Sequence, residues 1–180
     1  EIRGWQGDRP SAPEGQAASA RTSRSRDAST ELVVAEQKIS IRYAPLEAGS
    51  SDYDHLLALA TGEVSRFEGG RAIKLLSDVS LRFGDTVVPR GNIAADYGGV
   101  YSLWLKKSDG GWEIVFNRDA DIWGTQRLQE ADVVSVAVDF GVVETETEEL
   151  TIELVEAPGG GLLRMAWGAN EWMAPFEIID

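Results

Sequence analysis

The strongest constraint in this sequence is a period-two alternation of apolar and polar residues within short segments. The longest case is Ile73–Phe83, where apolar or small residues at odd positions alternate with Lys74, Asp78 and Arg82. Successive side chains of a strand point to opposite faces, so this pattern indicates strands with one buried face. The other segments predicted to be strands are Ile39–Tyr43, Thr86–Val88, Val100–Lys106, Trp112–Asn117, Val133–Phe140, Leu150–Val155, Leu162–Trp167 and Trp172–Ile179.

Two glycine-rich turns join pairs of these segments. The Asp-Gly-Gly sequence at residues 109–111 is a strong hairpin signal, and Pro-Gly-Gly-Gly at residues 158–161 indicates a second hairpin. One short helix is predicted over Tyr53–Ala60, capped by Ser51 or Asp52. Short strands joined by turns, with a single short helix, predict an all-β fold that is an antiparallel β-sandwich or a flattened barrel.

Residues 1–30 are predicted to form an extended N-terminal arm ahead of a β-sandwich domain over residues 31–180. The stretch Pro10–Ser29 contains no Leu, Ile, Val or aromatic residue, so it cannot bury enough apolar surface to offset the entropy of ordering it. We expect the arm to lie along a partner protein, with Trp5 inserted into a pocket of that partner. The alternative is that Trp5 folds back on its own domain. The other predicted partner contacts are the arginines of the arm: Arg3, Arg9, Arg21, Arg24 and Arg26.

The net charge of −13 at pH 7 is concentrated beyond the arm. Residues 31–180 hold 26 acidic and 12 basic residues, whereas residues 1–30 hold five arginines and four acidic residues. Such a domain repels phosphate backbones, so we expect no nucleic acid, and its field favours a basic protein as partner. The alternative is that the charge serves only solubility. The lack of cysteine excludes disulfides and thiolate metal sites, and no apolar run reaches the roughly 20 residues of a transmembrane helix.

Several motifs together indicate a family. They are Tyr-Ser-Leu at residues 101–103, Trp-Glu-Ile-Val-Phe-Asn at 112–117, Trp-Gly-Thr-Gln at 123–126, and the segments 149–152 and 163–167. With these motifs the sequence resembles the bacterial DUF2911 family over roughly residues 38–170. The resemblance implies a secreted or periplasmic β-sandwich without an assigned activity. The chain begins at Glu1 without a signal segment, so we expect that a precursor segment has been removed.

The sequence departs from the pattern of the DUF2911 family in two places. Family members carry Trp-Arg-Thr-Gly-Ala-Asn before the long alternating segment, where this chain has Ser-Arg-Phe-Glu-Gly-Gly at residues 65–70. The glycine-containing loop before Tyr101 also holds an insertion near Gly91–Tyr97. The first departure implies that any family ligand site at the Trp-Arg segment is lost here.

No set of residues in the sequence has the pattern of a catalytic or metal site. His55, the only histidine, lies on the predicted apolar helix without a nucleophile motif, which favours a partly buried or capping role. The glutamate-rich run 144–149 is interpreted as a solvated connector between strands. Asp119 begins a stretch with the spacing of a calcium loop, but Trp123 occupies a ligand position. We therefore predict a turn that packs Trp123 and Gly124 against the core, and no metal or cofactor.

Trp104 is the tryptophan whose environment the sequence leaves open. Alternation places it on the strand face of Ser102 and Lys106, where it either packs in the core or stands exposed. An exposed Trp104, together with Asn92 and Tyr97 of the adjacent loop, would form a site for a sugar or another small ligand. The tryptophans expected to pack in the core or on a sheet face are Trp112, Trp123 and Trp167.

The sequence therefore predicts a non-catalytic interaction subunit of a larger extracytoplasmic or membrane-associated assembly, held by its N-terminal arm. An accessory subunit on the periplasmic side of an electron-transfer or photosynthetic complex is one example. The alternative is a β-sandwich module that binds carbohydrate or another small ligand. A third possibility is a hydrolase whose two carboxylates cannot be paired from the sequence. We expect a periplasmic or extracellular location.

Overall fold

The computed structural model describes residues 27–90 and 100–179. Within these ranges the chain forms nine strands, one α-helix and one short 3-10 helix. The helix α1 spans Ser51–Leu57, and the 3-10 helix spans Gln129–Ala131. The strands are β1 (Ala28–Val34), β2 (Gln37–Tyr43), β3 (Ile73–Ser77), β4 (Ser80–Phe83), β5 (Thr86–Val88), β6 (Val100–Ser108), β7 (Gly111–Asn117), β8 (Asp132–Ala157) and β9 (Gly160–Ile179).

All nine strands belong to one open antiparallel sheet in the order β1-β2-β3-β6-β7-β8-β9-β4-β5. The sheet is curled, so that the C-terminal part of β8 lies close to β1. The amide of Leu154 on β8 donates to Thr30 Oγ1 on β1 at 3.2 Å. The amide of Leu150 also donates to the carbonyl of Leu46, just after β2, at 2.8 Å. The all-β antiparallel fold with one short helix is thus confirmed, as a curled sheet rather than two separate ones.

The concave side of the curled sheet holds the main hydrophobic core. Ile41, Leu56, Leu103, Phe116 and Trp167 are all 0% exposed there. Because each fully buried side chain of this size stabilises the fold by about 1.5–3 kcal/mol, this cluster supplies the main driving force for folding. A second, smaller cluster of Ala72, Trp104 and Val115 is separate from this core.

Both predicted hairpins are confirmed, since β6 and β7 flank residues 109–110 and β8 and β9 flank residues 158–159. The long alternating segment is divided, however, into β3 and β4, which lie in different parts of the sheet. At the bend between them the Ser77 hydroxyl donates to the carbonyl of Val79 at 2.7 Å. Alternation persists through the bend because both strands face the same core, where Val79 is 4% exposed.

The first strand begins before residue 31, the predicted start of the domain. β1 begins at Ala28, so residues 28–30 belong to the sheet. Ala28 pairs with Tyr43, and Thr30 pairs with Ile41. Backbone pairing does not require apolar side chains, which is why composition alone does not indicate a strand at residues 28–30.

The glutamate-rich run 144–149 is part of β8 and not a connector. Val142 pairs with Asn170 and Thr151 pairs with Ala166, so β8 contains five more residues than β9 between these two pairs. The extra residues form bulges, where a strand bends and leaves residues unpaired. All four glutamates of the run are exposed, so the solvated character of the prediction is confirmed and its position between strands is wrong.

Helix α1 is confirmed, but its ends lie earlier than predicted. Ser50, not Ser51 or Asp52, is the N-cap, and its side chain accepts from the Tyr53 amide. Asp52 is only 5% exposed, and its two carboxylate oxygens accept from the amides of Glu68 and Gly69 at 2.8 and 2.9 Å. The helix therefore fixes the loop of residues 65–70 through one buried carboxylate.

Candidate functional site

Most residues predicted to contact a partner or ligand lie outside the described residues. These are the partner contacts Trp5, Arg3, Arg9, Arg21, Arg24 and Arg26, and the ligand contacts Asn92 and Tyr97.

Trp104 is 1% exposed within the smaller cluster with Ala72 and Val115, so the interpretation as an exposed stacking platform is wrong and the interpretation as a buried packing residue is confirmed. Its ring lies parallel to that of Phe67, with centroids 6.4 Å apart. The indole Nε1 donates to Ser102 Oγ at 2.9 Å, and this hydroxyl donates to the carbonyl of Asp119 at 2.7 Å. The alternation of β6 places Trp104 on the correct face of the strand. That face is covered by segments distant in the sequence, which the alternation of β6 does not reveal.

Trp123 is the opposite case, because it was expected to pack and is 54% exposed. The Arg71 guanidinium lies over its ring, 5.3 Å from the centroid. The neighbouring Gly124 makes the predicted core contact instead: a Cβ there would lie 2.2 Å from the carbonyl oxygen of Phe67. The turn thus packs its glycine inward and presents its tryptophan to solvent.

The carboxylate of Asp121, in the same turn, binds a side chain of the protein. Lys74 Nζ donates to Asp121 Oδ1 at 2.6 Å, and this hydrogen bond lowers the pKa of the aspartate below its ordinary value. Within the described ranges, no group of three or more His, Asp or Glu side chains is placed to hold a metal ion.

A groove of about 590 Å³ lies on the side of β6, β7 and β8 that faces away from the main core. We call it the outer groove. One wall is formed by the end of α1 and residues 62–66, which continue the hydrogen bonding of β6: the Ser65 amide donates to the carbonyl of Leu105 at 2.7 Å. The opposite wall is residues 127–135. The charged or titratable side chains that line it are His55, Glu63, Arg66, Lys106, Arg127 and Asp132.

The carboxylates in and beside the outer groove already accept hydrogen bonds from the protein. Glu63 accepts from the Ala60 amide at 2.8 Å. Glu113, beside the groove, accepts from Ser135 Oγ at 2.6 Å and from Lys106 Nζ at 3.2 Å. The bond from Ser135 and then the ammonium of Lys106 lower the pKa of Glu113 below its ordinary value.

Asp132 is the third of these carboxylates, and it orients Arg127. Arg127 Nε donates to Asp132 Oδ1 at 3.1 Å, and Arg127 Nη2 donates to Oδ2. Asn117, which is 0% exposed, also donates to Asp132, at 2.8 Å. The guanidinium is thereby fixed in a forked ion pair that leaves its Nη1 group free of this carboxylate.

His55 and Arg66 are less engaged than Arg127. His55 is half-buried, as predicted, and its side chain makes no hydrogen bond or ion pair with the described residues. Arg66 lies 3.6 Å from a carboxylate oxygen of Glu68, beyond hydrogen-bond distance, and both side chains are about 60% exposed. The outer groove thus carries N–H donors that the surrounding protein does not use.

A second surface is the segment 139–179 of the β8–β9 hairpin, which we call the acidic hairpin. It contains nine carboxylates and one arginine. Arg164 of β9 donates to Glu153 of β8 at 2.7 Å and to Glu171 of its own strand at 2.9 Å, and these bonds raise its pKa. The other carboxylates are Asp139, Glu144, Glu146, Glu148, Glu149, Glu156 and Glu177. The hairpin therefore concentrates negative charge on a braced pair of strands.

The outer groove was missed by sequence reasoning because its residues come from positions 55 to 135 and share no motif. One pair carried a usable signal. Once the Asp-Gly-Gly turn fixes the β6–β7 hairpin, Lys106 and Glu113 lie directly opposite each other. Opposite charges at such cross-strand positions predict a contact on one face of the sheet.

By its fold the protein is an all-β domain built on one curled antiparallel sheet. The chain belongs to the DUF2911 family, since the family model described as "Protein of unknown function (DUF2911)" matches residues 25–176. The match confirms the sequence resemblance and extends it at both ends. No curated protein and no solved structure gave a significant match.

Proposed function

We propose that this protein is a non-catalytic interaction subunit of an extracytoplasmic or membrane-associated assembly, and that its acidic hairpin binds a basic surface of a partner protein. The observation that carries the proposal is the concentration of nine carboxylates against one arginine on the acidic hairpin. Residues 1–26 are proposed as a second attachment segment, because their composition does not support a core of their own.

The charge of the acidic hairpin favours a basic partner in two ways. Its field raises the rate of encounter with a surface of opposite sign, and it disfavours acidic proteins and nucleic acids. Because exposed charges separated by more than about 10 Å are screened at about 0.1 M salt, the attraction should weaken as salt rises. The bonds of Arg164 to Glu153 on the facing strand and to Glu171 on its own strand support the idea that this surface is held in shape before binding.

Apolar side chains on the same hairpin support a protein rather than an ion as the partner. Phe140, Val142 and Val155 are 45%, 72% and 46% exposed. Protein interfaces combine an apolar central part with a polar rim. Exposed apolar side chains among carboxylates fit that composition.

The proposal assigns no reaction to the chain. The only histidine, His55, has no side-chain partner within the described residues, so no catalytic pair forms around it there. No helix in residues 27–90 or 100–179 has the length and hydropathy to cross a membrane. The periplasmic or extracellular location, and an accessory role in an electron-transfer or photosynthetic complex as one example, belong to the proposal and rest on the family resemblance and the acidic composition.

Capture from a cell-envelope fraction tests the proposal with charge-only variants. Glu144, Glu146 and Glu148 are exposed and make no ion pair with the described residues, so their joint substitution by Gln removes charge from the acidic hairpin without breaking a contact. The matched control, Asp54→Asn with Asp85→Asn and Asp109→Asn, removes the same charge from exposed positions elsewhere. A third variant lacks residues 1–26, which leaves β1 intact.

We expect one basic protein to be retained by the wild type and the Asp→Asn control and to be lost or reduced by the Glu→Gln variant. Its recovery should also fall as salt increases from about 0.1 M to about 1 M. Loss with the deletion variant would support the second attachment segment. Equal recovery by the Glu→Gln variant and the control would contradict the role of the acidic hairpin.

A further inference from the structure

We infer that the outer groove is a binding site for a small organic oxyanion, a carboxylate or phosphate group attached to an apolar portion. This inference is independent of the proposed partner at the acidic hairpin. It rests on three features of the groove: an excess of N–H donors, a pre-oriented guanidinium and an apolar lining.

The donor excess follows from how the groove's polar groups are paired. Glu63 and Asp132 are engaged by donors of the protein, and Glu113 beside them accepts from two side chains. Arg66 makes no hydrogen bond within the described residues, and neither does the side chain of His55. A ligand that supplies acceptor oxygens would complete these donors, whereas each carboxylate of the groove already accepts from at least one donor of the protein.

Arg127 provides the fixed part of the site. Its side chain is only 17% exposed, and two of its nitrogen atoms are bound to Asp132. Asn117 holds the aspartate and also donates to the carbonyl of Leu128 at 2.8 Å, so the support continues into the loop that carries the arginine. Arg127 is therefore already ordered before binding, so a ligand oxygen that accepts from Nη1 would cost little additional side-chain entropy. Arg66, on the opposite wall, is held only by a solvent-exposed ion pair with Glu68, so it can turn toward the same anion.

The apolar lining indicates that the anion carries an apolar portion. Val133 is 39% exposed at the edge of the groove and Val64 and Val134 are half-buried, whereas Leu59 and Val115, at 8% and 3%, add little open surface. A volume of about 590 Å³ lies within the roughly 300–1,000 Å³ of small-molecule sites, so a chain of several carbon atoms fits. Inorganic anions alone would leave the partly exposed side chains of Val64, Val133 and Val134 uncovered.

A heteronuclear NMR titration of the full chain tests the inference with defined probes. The probes are sodium acetate, sodium hexanoate and inorganic phosphate, with sodium chloride at matched ionic strength as the control. We expect saturable shifts of the Arg127 side-chain Nε–H and of amides in residues 62–66 and 132–135. Hexanoate should bind at least about tenfold more tightly than acetate, because it buries additional methylene groups.

Variants separate binding at this groove from general anion effects. Arg66→Gln should weaken hexanoate binding by about fivefold or more, since a charge-assisted hydrogen bond is lost. Arg82→Gln is the matched control, because Arg82 is a half-exposed arginine of β4 whose ion pair is with Glu177, away from the groove. The amide spectrum shows directly that each variant is folded.

The relative affinities then identify the anionic group. Saturable binding of hexanoate above phosphate supports a carboxylate ligand, and the reverse order supports a phosphate ligand. Shifts that follow chloride as closely as the organic anions would overturn the inference. Equal binding by Arg66→Gln and Arg82→Gln would overturn it as well.

Discussion

Substituting Asp52 by asparagine should destabilise the protein by removing the anchor of the 65–70 loop. The two carboxylate oxygens of Asp52 accept from the amides of Glu68 and Gly69 at 2.8 and 2.9 Å, and the side chain is 5% exposed. A carboxamide in its place would offer one acceptor and set an N–H donor against the other amide. Because a hydrogen bond to a charged group contributes about 1.5–3 kcal/mol and an unpaired buried donor costs about 1–3 kcal/mol, we expect the free energy of unfolding to fall by about 2–4 kcal/mol.

Urea unfolding measures this loss, and an unchanged m-value would show that the surface exposed on unfolding is the same. Asp54→Asn is the matched control, since Asp54 also lies in the first turn of α1 but is exposed. The interaction with the helix dipole, about 0.3–1 kcal/mol, is common to both aspartates. Hydrogen exchange of the Glu68 and Gly69 amides should accelerate in Asp52→Asn alone. Equal losses for the two variants would refute the anchoring role of Asp52.

Two further substitutions test the loop packing and the groove electrostatics. Gly124→Ala should lower the free energy of unfolding by about 1–3 kcal/mol, because the new Cβ would lie 2.2 Å from the Phe67 carbonyl oxygen. The control is Gly110→Ala, where a Cβ would have no neighbour within 4 Å, and urea unfolding should show almost no change in its stability. Glu113 has a pKa below its ordinary value of 4.5, so its stabilising effect is complete above 4.5 and is lost as pH falls through the folded value. The stability difference between wild type and Glu113→Gln should therefore shrink between neutral pH and acid, and a constant difference would contradict the role of Ser135 and Lys106.

The sequence predicts the strands and hairpins well, because their signals are local. The Asp-Gly-Gly turn specifies a hairpin through backbone conformation, and alternation through Ile73–Phe83 specifies which side chains are buried. Alternation also places Trp104 on the correct face of β6. The sequence could not decide between burial and exposure of Trp104, because the segments that cover it, residues 64–72 and 119–124, have no periodic pattern of their own.

The course of β8 through residues 144–149 shows a second limit of local reasoning. Four glutamates in six residues are typical of a solvated connector. In the structure these residues belong to β8, which pairs with β9, and the residues that β8 has in excess of β9 form bulges. The bulge places Gly168 opposite Thr147 with a φ of +58°. Only the tertiary pairing makes that glycine necessary, since a Cβ there would lie 2.3 Å from the Tyr53 hydroxyl.

The outer groove illustrates a third limit, which is that a site assembled from distant segments has no linear signature. His55 and Arg127 are 72 positions apart and line the same groove, whose wall also includes residues 62–66 bonded to β6. The acidic hairpin, in contrast, was visible as the negative charge of the domain. The overall composition does not show that nine of the carboxylates lie on one hairpin, next to exposed apolar side chains.

Site-specific photo-crosslinking at position 142 is the most direct test of partner binding by the acidic hairpin. Val142 is 72% exposed on β8, whereas Val87, 42% exposed on β5, serves as the comparison position. A photoreactive residue in place of Val142 should give an adduct with one protein, through a lysine- and arginine-rich surface. The adduct should disappear when Glu144, Glu146 and Glu148 are changed to Gln. The same adducts from both positions, or an adduct that survives loss of the three charges, would contradict binding through this hairpin.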